Sequence, residues 1–218
     1  PGRAARKEDL VADILRKQSA DLDPNEVAQM AERIYKNGKR LDRLIENALI
    51  YAQIEIVKMD YQTIDQLRKN NTMGADKIVD IMARHSAYEA ERTTDLSLNL
   101  TPGNVAISAD YFSKVFEELF DNAIRYSRKG SAVSVQSELS GDEFILKVTD
   151  QGRGLTSEQL LNIGAYMQFE RKVYEQQGSG LGLTVARRLV EIHGGLLSLE
   201  SEFGKGTTVT VTLPSVPD

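Results

Sequence analysis

Gly178-Ser179-Gly180-Leu181-Gly182-Leu183, leading into Thr184 to His193, is the stretch from which the fold is read. Three glycines at alternate positions remove Cβ atoms where a backbone turns sharply or lies against a ligand, and the residues from Thr184 to His193 read as a helix. The free amides at the start of that helix, with the positive end of its dipole, make a phosphate cradle. Alone the run is a weak sign, because glycines before a helix commonly only punctuate a loop. The rest of the chain has to supply a nucleotide site around it.

The 218 residues allow one large domain or two small ones, and 41% hydrophobic content suits an ordinary folded core. A net charge of -5 without a long basic tract argues against a nucleic-acid partner, since phosphate backbones reward clustered Lys and Arg. The absence of cysteine excludes disulfides and thiolate metal sites and fits a reducing compartment. No apolar run approaches the roughly 20 residues that span a bilayer, and Pro1 to Lys7 is not a signal peptide. The expectation is a cytoplasmic segment with no membrane contact of its own, cut from a longer chain at Pro1.

Upstream of the glycine run, Leu10, Val11, Ile14 and Leu15 predict a first helix over Arg3 to Ala20. Asp23 then caps a second, starting at Pro24 and reaching about Asp60. Val27, Ile34, Leu41 and Ala48 recur every seven residues along it and make one apolar stripe opposite a charged face. A hairpin of two helices encloses no core, so the stripes must meet a second copy, as a dimeric four-helix bundle, or the chain's own C-terminal domain. The length of the stripe favours the second copy.

Between Tyr61 and Gly74 the pattern breaks, which predicts a boundary. Asp76 to Ala90 and Tyr111 to Tyr126 read as helices, and Leu96, Leu98 and Leu100 alternate as a strand. His85, alone on its helix, is given no catalytic role. Val133 and Val135, then Phe144, Leu146 and Val148, form a hairpin around Ser140-Gly141-Asp142. Leu197 and Leu199, then Val209, Val211 and Leu213, form another around Gly204-Lys205-Gly206. This is an α+β pattern, a mostly antiparallel sheet with helices on one face.

Four stretches line up in order: Glu117-Glu118-Leu119-Phe120-Asp121-Asn122-Ala123-Ile124-Arg125-Tyr126-Ser127, Asp150-Gln151-Gly152-Arg153-Gly154-Leu155, Gly164-Ala165-Tyr166-Met167-Gln168-Phe169-Glu170-Arg171, and the glycine run. Together they resemble the ATP-binding catalytic domain of sensor histidine kinases, in the superfamily that holds DNA gyrase, the ninety-kilodalton heat-shock chaperone and MutL. The resemblance covers residues 75 to 213. It implies a two-layer α/β sandwich of the histidine kinase ATPase type over 75-214, after a helical hairpin dimerisation module over 1-62.

Glu118 and Asn122 stand four apart on one helical face, so a carboxylate and an amide oxygen can share a pocket, and such hard oxygens suit Mg2+. The resemblance makes Asn122 the metal ligand. It leaves Glu118 open between a general base and a support for the metal, because many histidine kinases carry asparagine there. By the same resemblance Asp150 accepts the adenine amino group, and Gly152 and Gly154 permit close approach. Arg125 can reach a phosphate oxygen and Tyr126 offers its ring to the base, the alternative for either being ordinary packing or solvation. Gly178, Gly180, Leu181, Gly182, Leu183 and Thr207 complete the ATP-binding set. The polar stretch from Ile163 to Gly178, with Phe169 as an apolar anchor, reads as a lid. His193, before Gly194-Gly195, reads as a charged helix cap.

Gly38-Lys39-Arg40-Leu41-Asp42-Arg43-Leu44-Ile45-Glu46-Asn47 resembles the second helix of the kinase dimerisation and phosphotransfer module. The His-Glu-Leu-Arg-Thr-Pro string of its first helix is not found between Pro1 and Ala20. Either the acceptor histidine lies at or before Pro1, which the abrupt start favours, or the first helix is degenerate. The resemblance implies a kinase that moves the γ-phosphoryl group of Mg-ATP to a histidine and on to a response-regulator receiver domain, working as a homodimer. The competing readings are an ATP hydrolase or clamp of the gyrase and MutL type, for which Glu118 speaks, and a degenerate ATP-binding scaffold.

Overall fold

The computed structural model of the protein describes residues 23–58, 60–160 and 181–217. It divides into two compact units, residues 1–49 and 50–218. The expected helix over Arg3 to Ala20 lies outside the described residues.

Helix α1 is Pro24–Val57. It starts as its sequence dictates: Pro24 spends no needed amide, Asp23 Oδ1 accepts from the Asn25 amide at 2.7 Å, and the Asp23 carbonyl accepts from Val27 at 3.0 Å. In the first unit its apolar stripe stands on the surface, with Leu41 57% and Ile45 52% exposed.

The second unit begins with the last turns of α1, whose Ile54 is buried while Ile50 and Tyr51 pack at the edge of the core. The pattern break expected after Tyr61 is instead a short helix, α2, Tyr61–Leu67. Its cause is Asp60, whose carboxylate accepts from the Gln62 amide at 3.0 Å and the Thr63 hydroxyl at 2.5 Å. These bonds, the Thr63 hydroxyl first, hold the Asp60 carboxyl below its ordinary value.

Helix α3, Ala75–Glu89, buries Ala75, Val79, Ala83 and Ala87, a narrow face of small residues. Strand β1, Leu96–Asn99, follows, and then helix α4, Ala109–Tyr126, capped by Ser108. Next come β2, Val133–Ser140, and β3, Glu143–Asp150. Helix α5, Leu181–Ile192, and strands β4, Leu196–Glu202, and β5, Gly206–Pro214, complete the unit. The glycine run was expected to end at a helix start on Thr184. The helix instead includes Leu181, Gly182 and Leu183, so these three residues are its first turn.

The five strands are ordered β1-β2-β3-β5-β4. β1 and β2 are parallel, and the other three pairings are antiparallel. Burial alternates along the strands: Val133, Val135, Phe144, Leu146, Val148, Val209, Val211 and Leu213 point to one covered face, while Gln136 and Glu138 are exposed. A helix layer on one face of a mainly antiparallel sheet is the α+β two-layer sandwich expected from the alternation. Phe112, Phe116 and Phe120 recur every four residues on α4 and are buried, each stabilising the unit by roughly 1.5–3 kcal/mol through burial alone. Phe116 and Phe120 stack at 5.4 Å between ring centroids, and Phe112 meets Phe144 of β3 edge-on.

Candidate nucleotide site

The site is built on the last two turns of α4, the end of β3, and the β4–β5 hairpin. Asp150 is the final residue of β3 and sits opposite Thr207 in the β3–β5 register. Its side chain is only 8% exposed, and Oδ1 accepts from the Gly152 amide at 2.7 Å. Burial pushes this carboxyl above the ordinary aspartate value, and the Gly152 and Thr207 amides and the Arg92 charge pull against that rise. A buried acceptor of this kind suits a ligand amino group, whose hydrogen bond offsets the desolvation of the charge.

Gly152 and Gly154 are required for close approach, and the neighbour is the chain itself. A Cβ on Gly152 would collide with the Tyr126 carbonyl and with Asp150 Oδ1. Gly154 has φ +60°, and a Cβ there would collide with the Glu202 carbonyl of β4. The loop is stitched on both sides. The Arg153 amide donates to the Tyr126 carbonyl at 3.2 Å, and the Gly204 amide donates to the Arg153 carbonyl at 2.7 Å. The Leu155 amide donates to Ser201 Oγ at 2.9 Å, and Ser201 Oγ lies 2.8 Å from Thr207 Oγ1. Asp150, Gly152, Gly154, Tyr126 and Thr207 therefore meet as one cluster.

On α4 the remaining candidates follow one another in steps of four and three. Glu118 is 2% exposed and pairs with Lys114, itself buried, at 3.2 Å. Lys114 also holds Glu117 at 3.1 Å. A solvated Glu118 is ruled out by this burial. Asn122, one turn on, is half-buried, and Arg125 is exposed in the last turn. Tyr126 is 41% exposed, and the Arg153 guanidinium lies 4.9 Å from its ring centroid, covering one face. Leu181, Gly182 and Leu183 open α5, which packs beside α4, so their amides are at the positive end of its dipole. Gly178, Gly180 and the expected lid with Phe169 lie outside the described residues.

The structure also corrects one candidate and adds another. His193 is 1% exposed, its Nδ1 is 2.7 Å from the Leu189 carbonyl, and burial, the largest influence, holds its pKa below the ordinary histidine value. It is a neutral core residue and not a charged cap. The cap is Gly194, left-handed at φ +80°, with the Gly194 and Gly195 amides closing on Glu191 and Val190. The residue missed by sequence reasoning is Arg92, 4% exposed, which grips the end of α4. Its only local signal was an Arg and an Asp, Arg92 and Asp95, three positions apart, joined here at 2.7 Å.

A sequence model described as "Histidine kinase-, DNA gyrase B-, and HSP90-like ATPase" matches residues 108–217, half of the chain. The chain belongs to this ATPase family. Membership carries an ATP site, and the matched span holds Glu118, Asn122, Arg125, Tyr126, Asp150, the candidate glycines and Thr207, while Arg92 lies before it. The sensor protein SrrB of Staphylococcus aureus is 28% identical over 199 residues, covering 88% of this chain and 32% of SrrB. The chain thus spans about a third of the length of the curated relatives it matches. Among solved structures, the Acinetobacter baumannii histidine kinase AdeS is similar with a TM-score of 0.69 and 22% identity, over 99% of this chain and 96% of that one. The mycobacterial sensor histidine kinase MprB is similar at 0.57 and 24%, over 69% and 99%. These two likenesses establish the shared fold. Among the described residues, no helix is long and apolar enough to cross a membrane.

Proposed function

We propose that the chain is the core of a histidine protein kinase of a two-component system, binding Mg-ATP and transferring the γ-phosphoryl group to a histidine and then to a response-regulator aspartate. The observation that carries this reading is the Asp150 cradle, a buried carboxylate held by the Gly152 amide inside the span of the ATPase family. The kinase names of SrrB, AdeS and MprB favour kinase over the gyrase and MutL branch.

Asp150 accepts the adenine amino group, with Thr207 beside it. Tyr126 meets the base with the ring face not covered by Arg153. Arg125 and the amides of Leu181, Gly182 and Leu183 neutralise and orient phosphate oxygens, joined by Gly178 and Gly180. In such a transfer the protein mainly positions groups and stabilises charge. Asn122 supplies an amide oxygen to Mg2+, which commonly binds through one or two protein oxygens and the nucleotide phosphates. The donors present fit such an ion: half-buried Asn122 stands one turn from the buried Glu118 carboxylate on α4, and both are hard oxygen donors. When bound, Mg2+ would offset the phosphate charge.

Glu118 is the argument for the hydrolase reading. Its Oε1 is already engaged by the buried Lys114, which favours support over a free water-activating base. The partners follow from the kinase reading: a second copy on the α1 stripe, a receiver domain as phosphate acceptor, and a cytoplasmic location. Neither histidine of the chain lies in the acceptor string, so we place the acceptor outside residues 1–218.

Asp150→Asn should keep the Gly152 hydrogen bond but present an ambiguous amide to adenine. ATP affinity, measured by calorimetry with Mg2+, should fall roughly 10–100-fold, the loss of one charge-assisted bond. An unchanged affinity removes Asp150 from the site. Incubation with γ-labelled ATP of this chain and of a longer one carrying an acceptor histidine separates the activities. Acid-labile, base-stable label on the longer chain supports the kinase, and steady phosphate release without label supports the hydrolase.

A further inference from the structure

We infer that Arg92 is a positioning residue for the adenine end of the site, clamping the end of α4 and the turn after it so that Tyr126 and the Asp150 loop keep their relation. The inference rests on the ATP reading above.

A helix ends with carbonyls that lack intrahelical partners, and many ends are closed by a left-handed residue. Helix α4 is not: its C-terminal neighbour Ser127 is extended, at φ -104° and ψ 155°. Arg92 takes over that role from another part of the chain. Its Nη1 donates to the Ile124 carbonyl at 3.0 Å and to Ser127 Oγ at 2.7 Å, and its Nη2 donates to the Arg128 and Ser131 carbonyls, both at 2.8 Å. Nε donates to Asp95 Oδ2 at 2.7 Å, and the same oxygen accepts from the Gly130 amide at 2.9 Å. The guanidinium's rigid fork of five donors is what allows one side chain to reach both sides of the turn.

Tyr126 lies between Ile124 and Ser127, the two residues that Nη1 grips. Its carbonyl receives the Arg153 amide and bounds the space at Gly152, whose amide in turn holds Asp150. A shift of the α4 end is thereby passed to the carboxylate that meets adenine. Lysine keeps the charge of Arg92 but not the fork, so it cannot hold both sides.

The test compares wild type with Arg92→Lys and Arg92→Met for binding of ATP, of inosine triphosphate, which lacks the exocyclic amino group, and of tripolyphosphate by competition. In wild type the preference for ATP over inosine triphosphate reports the Asp150 contact. The variants should lose most of that preference, about five- to tenfold for one weakened hydrogen bond, while tripolyphosphate affinity stays the same. An unchanged preference in folded variants, or equal weakening toward ATP and tripolyphosphate, overturns the inference and leaves Arg92 a stabilising residue only. If neither variant folds by circular dichroism, Asp95→Asn, which weakens the shared Nε and Gly130 contacts and leaves the Nη1 and Nη2 bonds in place, is read in the same way: a smaller loss of preference supports the inference and none overturns it. A failure of the ATP reading looks different, because wild type itself would then show no preference between the two nucleotides.

Discussion

Helices α1 and α4 are both amphipathic, and they resolve their apolar faces in opposite ways. On α4 the Phe112, Phe116 and Phe120 ladder is buried within the sandwich. On α1 the stripe residues Leu41, Ile45 and Leu49 are each more than half exposed. The difference teaches that the second unit completes its own core, whereas the first, taken by itself, leaves its stripe exposed among the described residues. Contiguous apolar exposure of this kind marks interaction surfaces, and the proposed second copy is the partner that a long helical seam suits.

The contrast is broken most directly by deletion of side chains. Phe116→Ala should destabilise the second unit by about 3–5 kcal/mol, the cost of an aromatic-sized cavity, while Leu41→Ala should change its unfolding by less than about 0.5 kcal/mol. Denaturant unfolding monitored in parallel for the two variants checks this, and equal losses would mean that the Leu41 stretch of α1, and not only its last turns, is part of the core. Next in size, Leu41→Asp combined with Ile45→Asp should weaken self-association by at least about tenfold, since buried carboxylates are costly. Analytical ultracentrifugation reads the association, and ATP affinity should be unaltered; a variant that remains as associated as wild type would sink the seam.

Two buried titratable groups sharpen the picture within the second unit, with smaller effects of opposite sign. His193 has a lowered folded pKa, so the stability it contributes is present above the ordinary histidine value and is lost as pH falls through the lowered one. His193→Leu should flatten that acid limb in thermal melts, at a neutral-pH change of roughly 1 kcal/mol or less, the worth of one hydrogen bond. Asp150 has a raised folded pKa, so its contribution is present below the ordinary aspartate value and is lost as pH rises through the raised one. Asp150→Asn should remove that loss and leave the ligand-free protein slightly more stable at neutral pH, an outcome to set beside its weaker ATP binding. A variant that melts lower than wild type at neutral pH contradicts the desolvation account.

Much of the sandwich was legible because its causes are local. The period-two apolar positions of Val133 to Val148 and Val209 to Leu213, and the four-residue spacing on α4, each declare which face is buried. Asp60 was overlooked as a cap, and with it α2, because one Asp before a weakly patterned segment looks the same in a loop. His193 was misread because its burial depends on packing from elsewhere, including Tyr111 of α4, whose ring lies 5.9 Å away.

The sequence by itself determined the elements other than α2, the two layers, and the shared face of Glu118 and Asn122, since spacing and residue chemistry are properties of the chain; the roles of Asp150 and Asn122 came with the resemblance that the ordered motifs carry. Only the tertiary structure decided that Glu118 is already paired to Lys114, that Gly152 and Gly154 make room for the protein's own carbonyls, and that Arg92 closes the end of α4. Those facts depend on which distant backbone groups arrive at a given point. Arg92 and Ser131 are 39 positions apart in the chain and meet only when the sandwich has formed.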